Sequence, residues 1–582
     1  MASAGKSSVP AVERFKYSQR VVLRSILNRH DRGEGLSGHR VVAGGWIKSR
    51  KDRPAEGHDR SAAVAAAVPP QPEDASCFEA LLQHLPMLRP LARILLGRLD
   101  ADADATEAKP NVGPVTALLR INDGSSSSNL QVVLDSSMSL PGQVIHVGAC
   151  ILVEGVLQKA SAPKGHAVEL KVEKILHIGI ADSQQYPLAK PKFSLEFLRT
   201  LPHLRPRSVT VGSIVQIRSN VTLASHEFFK KNGFIHVHMP ILSSTETGYN
   251  SRDFQSTTPL AEPGLREAIG LETLKSAIME KSKRIEEVPR SDSNKETLLA
   301  AEQDLKKTKE LAVLLEKSQR DFLTVTAGLH LESYACALSS VYTIGPVFRA
   351  DEPQAKRLTE MWMVEVELAF AELEDAMNCA EDYLKFLCQS LVDNSGDDLK
   401  YVSKTKDKEH TERIRALVSS SFARITYSQA LEIVDEVKDR TFREKVSWGE
   451  SLSEEHERYL VDDIFKKAVI VYEHPKELKP FYVRVRDDGR TASTFDIITP
   501  KIGVLLRGSQ KEERLDVLNK RMEDLKLSSE QYDWYKDLRK YGSVKHSGFS
   551  LDLEKMMLFA TGLTDLRDVI PFPRTCDRGN EW

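Results

Sequence analysis

The sequence predicts an α+β protein in which a small β-barrel precedes a larger domain of helices and strands. Short runs rich in valine and isoleucine, separated by turns, dominate residues 40–180. After residue 185, long helical patterns alternate with apolar strands. The chain has 582 residues, with 41% hydrophobic and 28% charged. This length suits several domain-sized cores, and the composition is typical of a globular protein rather than a fibre or a disordered chain.

The charge pattern excludes some function classes but not all nucleic-acid binding. The 81 basic and 83 acidic residues give a net charge of −2, which argues against a wholly basic nucleic-acid coat. Residues 1–53, however, contain 12 Lys or Arg and 4 Asp or Glu. The charges are therefore segregated, and a local basic patch near the N-terminus is expected.

The sequence predicts a cytoplasmic protein without a membrane span. No apolar run approaches the roughly 20 residues that a bilayer requires. The N-terminus is polar and contains Glu13, which argues against an export signal. Ser, Ala and Arg in the first 30 residues leave an organellar transit peptide as an alternative. The six cysteines are too scattered for a disulfide framework or a CxxC zinc site, so we expect free thiols in a reducing compartment.

Five strand-like runs predict a barrel of the OB type. They cover residues 40–50, 115–121, 130–135, 143–157 and 167–180. Such a barrel presents a face to single-stranded nucleic acid, and Trp46 together with the surplus of basic residues fits that use. An ordinary barrel with a solvated basic edge is the alternative. Residues 52–112 interrupt the strands as an insertion to which the sequence assigns no chemistry.

The region after residue 185 predicts the framework of a second domain. Its elements include a helix at 214–232 and strands at 233–239, 341–347 and 361–370. The helical periodicity at about residues 262–320 predicts an inserted helical hairpin with heavily charged outer faces. Two interpretations of the hairpin are open: a docking arm for RNA or a protein, or a solvated surface appendage.

Charged residues near the strand at 361–370 predict a ligand site. Glu365 and Glu367 share one face because strand side chains alternate, and buried carboxylates are costly unless they meet cations or a ligand. Arg349 follows the preceding strand, and Arg357 lies eight residues further on. Guanidinium groups hold phosphate oxygens, while carboxylates hold an ammonium group or a divalent cation. The pattern suits a nucleotide site, and a surface charge cluster is the alternative.

A set of ordered segments resembles the asparaginyl-tRNA synthetases, which are class IIb enzymes, and the plant and bacterial-type members are the most similar. The resemblance covers about 40–50 and 115–574. It omits the first insertion and is loose in the hairpin. The segments are Leu204-Arg-Pro-Arg-Ser, Ala335-Cys-Ala-Leu-Ser-Ser-Val-Tyr, Gly345-Pro-Val-Phe-Arg-Ala, Trp362-Met-Val-Glu, His456-Glu-Arg-Tyr-Leu, Gly508-Ser-Gln-Lys-Glu-Glu-Arg, residues 534–542 and residues 560–574.

The resemblance implies two domains and one two-step reaction. Residues 1–185 would form an OB-fold that binds the anticodon, and residues 186–582 would form a class II catalytic domain with an antiparallel sheet and helices. The segment 221–240 would make a homodimer contact. The implied activity is that of an asparagine–tRNA ligase, which uses ATP and Mg²⁺ to form asparaginyl-adenylate and then acylates tRNA(Asn).

The resemblance also implies site residues. Arg349 would be catalytic, binding the α-phosphate of ATP, and Asp496 would bind the metal that bridges the phosphates. The full set implied for ATP is Arg349, Asp351, Arg357, Met361, Asp496 and Lys555. The set implied for the amino acid is Glu332, Glu365 and Lys511.

The sequence departs from the family pattern at the site itself. Lys555 and Lys511 replace arginines, which keeps the charge but loses the planar fork. The other departures are Gly248 for glutamate, Gly328 for glutamine, Asp351 for glutamate, Met361 for phenylalanine, Val504 for a metal-site glutamate, Arg507 for glycine, and Ser550 and Asp552 for glycines. A second hypothesis is therefore a catalytically impaired paralogue that binds tRNA or acts as a regulator. The ending Pro-Phe-Pro-Arg574 argues against a third, an aspartate or lysine relative.

Overall fold

The chain forms two compact units, Met1–Lys192 and Phe193–Trp582. The structure is a computed structural model. It describes residues 15–54, 115–135, 138, 145–160, 167–190, 192–243, 255–256, 271–287, 295–317, 321–349, 358–403, 407, 409–437, 442–527 and 529–575. The insertion predicted at 52–112 therefore lies outside the described residues from position 55 onward.

The first unit contains a closed five-stranded barrel with the order β1-β2-β3-β5-β4. Strand β1 pairs in antiparallel fashion with β2 and β4, and the parallel pair β3–β5 completes the barrel. The predicted OB-like barrel is thus confirmed. A short helix, α1 (Arg24–Leu27), precedes it. The strands are β1 (Arg40–Pro54), β2 (Val115–Asn122), β3 (Leu130–Asp135), β4 (Cys150–Lys159) and β5 (Val168–Gly179).

Alternating burial explains why these residues form a barrel. Every second residue of β4 is buried up to Leu157, and together with residues such as Leu119 and Val132 these side chains fill the interior. The turn after β2 is fixed by Asn122, whose Nδ2 donates to the carbonyl oxygens of Ser126 and Ser128.

The second unit is built on an eight-stranded sheet with the order β12-β13-β14-β15-β16-β11-β10-β6. Its central pairs are antiparallel, whereas the edge strands β6 and β12 pair in parallel with β10 and β13. A small sheet has the order β7-β9-β8. The strands are β6 (Ile235–His236), β7 (Leu242–Ser243), β8 (Gln255–Ser256), β9 (Asp321–Leu323), β10 (Ser340–Phe348), β11 (Glu360–Ala369), β12 (Ala423–Thr426), β13 (Val469–Pro475), β14 (Thr491–Thr499), β15 (Gly503–Gln510) and β16 (His546–Asp552).

The main hydrophobic core lies on one face of this sheet and includes residues of α3, α7, α8, α9 and α14. Helices α4 and α5 lie antiparallel: Leu274 packs near Ala312, and Lys281 Nζ lies 2.7 Å from Asp304. The helices are α2 (Leu195–Arg199), α3 (Val209–Lys231), α4 (Leu271–Glu287), α5 (Lys295–Lys317), α6 (Gly328–Leu338), α7 (Leu373–Asn394), α8 (Gly396–Ser403), α9 (His410–Ser419), α10 (Tyr427–Asp435), α11 (Glu454–Arg458), α12 (Leu515–Asp524), α13 (Asp533–Lys540) and α14 (Leu553–Thr561).

Three predicted elements differ from the structure. Helix α3 begins before residue 214, because Ser208 Oγ caps it by accepting the N–H of Val211. The strand predicted at 233–239 is reduced to β6, since the chain leaves β10 ahead of Pro240, which has no N–H to donate. The strand predicted at 143–157 begins only at β4, because a turn with Gly148 at φ +92° precedes it.

Candidate active site

The polar face of the central sheet lies opposite the main core. In β11, Glu365 and Glu367 alternate with Val364 and Val366, and the two valines belong to the core packed against α7. Alternate strand residues project to opposite faces. The two glutamates are therefore directed away from the core helices, and both are buried.

A row of polar residues crosses this face. Asp496 of β14 pairs with Arg507 of β15, Arg507 with Ser550 of β16, and Ser550 with Glu365 of β11. Directly paired residues of antiparallel strands project to the same face. We call Lys479, Asp496, Arg507 and Lys555 the cationic end of the row. We call Glu332, Glu365, Glu367 and Lys511 the carboxylate end.

At the carboxylate end, Glu365 is held by the segment that begins α6. One carboxylate oxygen accepts the backbone N–H of Ala327 at 2.7 Å, and the other accepts the hydroxyl of Thr326. Burial raises the pKa of Glu365, although these two hydrogen bonds act in the opposite direction. Gly328 follows at the start of α6, so the chain places no side chain there against Thr326.

Glu367 and Lys511 form a buried ion pair. Lys511 Nζ lies 2.6 Å from Glu367 Oε1. The other oxygen of Glu367 has no hydrogen-bond partner among the described residues. Burial raises the pKa of Glu367, and Lys511 limits the rise. Gly548 makes the arrangement possible, because a Cβ there would lie 2.4 Å from Glu367 Oε1 and 2.3 Å from the carbonyl oxygen of Val366.

Glu332 is completely buried, and protein groups occupy both of its oxygens. Arg539 Nη1 lies 2.5 Å and His546 Nε2 2.7 Å from Oε1, while the Tyr535 hydroxyl donates to Oε2 at 2.6 Å. Burial acts to raise the pKa of Glu332, but Arg539 and His546 outweigh it and hold the value at about 2. Glu332 therefore fixes α6, α13 and β16 together, and its negative charge is compensated by Arg539, whereas the partners of Glu365 are neutral donors.

At the cationic end, three basic groups surround one buried carboxylate. Arg507 Nε and His474 Nε2 each lie 3.7 Å from Asp496 Oδ2, and Lys479 Nζ lies 3.9 Å from it. Burial acts to raise the pKa of Asp496, but Lys479 and the other basic groups lower it to about 2. Burial lowers the pKa of His474 to about 3, so its imidazole is neutral at physiological pH.

Lys555 reaches the same site from the first turn of α14. Its Nζ donates to the carbonyl oxygen of Val504 at 2.9 Å, and Asp552 caps the helix by accepting the Lys555 N–H. Burial lowers the pKa of Lys555, and the charges of Arg507 and Arg349 lower it further against the opposing effect of Asp552. Arg349, Arg507 and Lys555 therefore act on one another electrostatically.

Glu457 is a site residue that the sequence analysis did not single out. Its Oε2 accepts the N–H of Val504 at 3.3 Å, on the strand that carries Arg507. Burial and the charge of Asp496 raise the pKa of Glu457 to about 7. Its only sequence signal is its place in the segment His456-Glu-Arg-Tyr-Leu, which a π-helix, Tyr459–Ile464, continues.

The donor set around Asp496 does not fit a resident divalent cation. Asp496 Oδ1 is buried without a partner among the described residues, so one oxygen is free. Its other oxygen, however, faces cationic Lys479 and Arg507, and the neighbouring position 504 is an aliphatic valine. Within the described part of the chain, no three His, Cys, Asp or Glu residues form a metal-binding group. The predicted role of Asp496 as a metal ligand thus gains no support from its surroundings.

The remaining predicted residues divide into two groups. Arg349 ends the described segment after β10, where its N–H donates to the carbonyl oxygen of Thr359 at 3.0 Å. Met361 lies on the same face of β11 as Glu365, four residues earlier in the strand, and is buried. Asp351 and Arg357 lie outside the described residues. Their predicted contacts with ATP remain predictions.

No helix among the described residues is both long and apolar enough to span a bilayer. The chain matches a family model described as tRNA synthetases class II (D, K and N) over residues 194–263 and 304–576. The chain is 41% identical to an asparagine–tRNA ligase, cytoplasmic 2, of Arabidopsis thaliana, and the alignment covers 97% of this chain and 96% of that protein. It is 37% identical to an asparagine–tRNA ligase of Serratia proteamaculans, covering 84% and 98%.

A solved structure has the same fold at low sequence identity. The asparaginyl-tRNA synthetase of Pyrococcus horikoshii, crystallised with asparaginyl-adenylate, superposes with a TM-score of 0.67 at 21% identity, covering 96% of this chain and 99% of that one. At this identity the similarity describes the fold, a barrel and a sheet of the α+β class.

Proposed function

This chain belongs to the class II tRNA synthetases and, within them, to the asparagine–tRNA ligase family, and we propose on that premise that it activates asparagine with ATP and transfers it to tRNA(Asn). The observation that carries the proposal is the row on the sheet face. It has basic groups suited to phosphates at one end and buried carboxylates suited to an ammonium group at the other. The phosphates of ATP and the ammonium group of asparagine would thus each meet groups of opposite charge.

The proposed reaction has two balanced steps. A carboxylate oxygen of asparagine attacks the α-phosphorus of ATP, and the bond to pyrophosphate breaks. A ribose hydroxyl at the end of the tRNA then attacks the acyl carbon and releases its proton to solvent, while the acyl–phosphate bond breaks and AMP leaves. In-line displacement at phosphorus depends on alignment and charge neutralisation more than on covalent help from protein. In this proposal Arg349 holds the α-phosphate as the catalytic residue, because a guanidinium binds two phosphate oxygens at once.

The carboxylate end is proposed to bind asparagine. Glu365 accepts the substrate ammonium group, and Lys511 donates to the side-chain amide oxygen. Lys511 is held for this role by Glu367. Glu332, which the sequence predicted as a ligand, is proposed instead as a positioning residue, since its partners Arg539 and His546 already occupy it.

ATP is proposed to lie along the rest of the row. Met361 contacts the adenine, and Lys555 supports the nucleotide phosphates together with Asp351 and Arg357. Mg²⁺ is proposed as the ion that ATP carries in solution, and thus as part of the substrate. This assignment follows from the poor fit of Asp496 to a resident metal. The cation would supply additional charge neutralisation on the phosphates.

The barrel is proposed to bind the tRNA anticodon. Trp46 is partly exposed on β1, where a base can stack on it. If basic residues of this unit contact phosphates, the logarithm of the binding constant for tRNA(Asn) should fall linearly with the logarithm of salt concentration. Filter binding at several salt concentrations tests this, and salt-independent binding would contradict the role of the barrel.

A homodimer is proposed through α3 and the segment after it. Leu223 on α3 has 63% of its surface exposed, and Val215 and Ile235 are also exposed. Exposed apolar side chains on consecutive elements, here α3 and β6, are typical of interfaces. Sedimentation equilibrium should give about twice the 65.2 kDa chain mass, whereas Leu223→Glu should shift the equilibrium toward the monomer.

The cytoplasm is the proposed location. The relatives that match over nearly the whole chain include cytoplasmic asparagine–tRNA ligases of Arabidopsis thaliana. A chloroplastic or mitochondrial relative also matches, at 40% identity over 78% of the chain. Imaging of a C-terminally tagged full chain distinguishes the two, and co-localisation with either organelle would contradict the proposal.

The decisive experiment is asparagine-dependent exchange of pyrophosphate into ATP. We expect exchange by the wild-type protein and a loss of roughly 100-fold or more in Arg349→Ala, as for removal of a transition-state donor. Arg415→Ala, which removes an exposed arginine on α9, is the control and should be unchanged. A wild-type rate no higher than that of Arg349→Ala would rule out the enzyme.

A catalytically impaired paralogue is the second candidate. The specific observation in its favour is that two predicted ligand cations already have protein partners: Lys511 pairs with Glu367, and Lys555 donates to the Val504 carbonyl. The double variant Val504→Glu/Lys555→Arg restores the family residues. Exchange that appears only in this variant would identify the natural chain as the impaired form.

A further inference from the structure

The cationic end contains more positive charge than its carboxylates offset. Lys479 and Arg507 both lie within 4 Å of the single carboxylate of Asp496, at 3.9 and 3.7 Å. Lys555 approaches from α14, where its Nζ is bound to the carbonyl oxygen of Val504.

The other carboxylates near this end have partners of their own. Glu457 Oε2 accepts the Val504 N–H at 3.3 Å. Asp552 caps α14 by accepting the Lys555 N–H, and its charge offsets that of Lys555. Among the described residues, Lys479 and Arg507 thus share the one negative charge of Asp496, and this pair of cations favours an added anion.

The two cations nearest Asp496 differ in their exposure to solvent. Lys479 is largely buried, with 16% of its side chain exposed, whereas Arg507 has 59% exposed. Arg507 can thus reach an incoming ligand while its Nε remains near Asp496. Its planar guanidinium suits phosphate oxygens, which it binds in pairs.

We propose that Arg507 and Lys479 occupy the electrostatic role of a divalent cation, so that this chain binds the triphosphate of ATP equally well whether or not ATP carries Mg²⁺. The inference rests on the proposed function, because it assumes that ATP enters this site. A dication placed at Asp496 would be repelled by both basic groups, the side chain of Val504 offers it no oxygen, and the carbonyl oxygen of Val504 is bound by Lys555. The same two groups attract a polyanion.

The test is calorimetric titration of the full chain with ATP in the absence of asparagine, once with EDTA and once with excess Mg²⁺. We expect wild-type dissociation constants that agree within about threefold in the two buffers. Arg507→Gly should weaken binding in EDTA by at least about tenfold, as for the loss of a charge-assisted hydrogen bond. In Mg²⁺ the loss should be smaller, because the cation supplies the missing charge.

Two further variants separate this role from a structural one. Arg507→Lys keeps the charge and should retain most of the binding in EDTA. Arg415→Ala, which removes an arginine of similar exposure that is paired with Glu412 on α9, should leave both constants unchanged.

The possible results separate this inference from the proposed function. Binding that requires Mg²⁺ in the wild-type chain, with Arg507→Gly unaffected in either buffer, would overturn this inference and leave the proposed function intact. No ATP binding in either buffer would overturn both. Equal binding in the two buffers that Arg507→Gly does not weaken would also overturn the assignment to Arg507.

Discussion

The two ends of the polar row differ in how the protein pairs its charged groups. At the carboxylate end, Glu332 has three protein partners, Glu365 two, and Glu367 is paired with Lys511. At the cationic end, two cations, Lys479 and Arg507, share the single carboxylate of Asp496. Each end keeps one carboxylate oxygen without a hydrogen-bond partner among the described residues, Glu367 Oε2 and Asp496 Oδ1.

This difference indicates two kinds of binding site. A buried network of side chains joined by ion pairs and hydrogen bonds is rigid, and a ligand must fit its geometry. A cluster of like charges has stored repulsion that a ligand of opposite charge relieves. The carboxylate end is therefore suited to select a ligand by shape, and the cationic end to attract one by charge. Substitutions at the two ends should therefore have different effects.

The largest expected effect is at Glu332. Glu332→Ala leaves the buried guanidinium of Arg539 without its carboxylate, and breaking a buried pair costs about 3–5 kcal/mol of unfolding free energy. Urea denaturation measures the loss. Glu412→Ala, on the exposed face of α9, is the control and should change stability little. A loss below about 1 kcal/mol for Glu332→Ala would mean that the carboxylate end is not rigid.

A similar effect with a defined pH dependence is expected at Glu457. The folded protein holds this proton to a pKa of about 7, whereas the ordinary value is 4.5. Between pH 4.5 and about 7, Glu457 is protonated in the folded protein but largely ionised in the unfolded chain. The unfolded chain therefore binds fewer protons, and the unfolding free energy falls as the pH rises through this range. The difference, 7 minus 4.5 or 2.5, corresponds to about 3 kcal/mol.

Glu457→Gln cannot ionise and should escape this loss. Relative to the wild type, its unfolding free energy should therefore rise by about 3 kcal/mol between pH 4 and pH 8. Glu454→Gln, an exposed neighbour on α11, should keep a constant difference. A constant difference for Glu457→Gln as well would remove the evidence for a protonated carboxyl at the cationic end.

A smaller effect, confined to one substrate, is expected at Lys511. Lys511→Met should raise the KM for asparagine in the exchange reaction by roughly 30-fold, equivalent to about 2 kcal/mol, and leave the KM for ATP almost unchanged. Lys511→Arg, the residue of the family, should restore binding. An equal rise in both KM values would show that the two ends are not independent.

Much of the framework could be predicted from the sequence because its signals are local. Alternation in β11 placed Glu365 and Glu367 on one face, and the Val- and Ile-rich runs indicated the barrel. The predictions were poorer where a strand's extent depends on its neighbours. The two-residue β6 is the example, since a run of seven residues was expected there.

The site was predictable in its residue types but not in its pairings. Sequence motifs indicated Lys511 and Lys555 as ligand groups, yet their present partners, Glu367 and Val504, lie far away along the chain. Lys511 meets Glu367, and Glu332 meets Arg539. Glu457 was missed because its burial and its contact with Val504 have no local signal.

The sequence by itself determined the α+β class, the OB-like barrel, the resemblance to the family and the positions that depart from its pattern. Only the tertiary structure decided that Arg507 faces Asp496, that Lys511 is paired, and that Glu332 is fully occupied. The physical reason is that alternation and turn chemistry act between neighbouring residues. Charge pairing instead depends on strand order and register, which bring together residues more than a hundred positions apart.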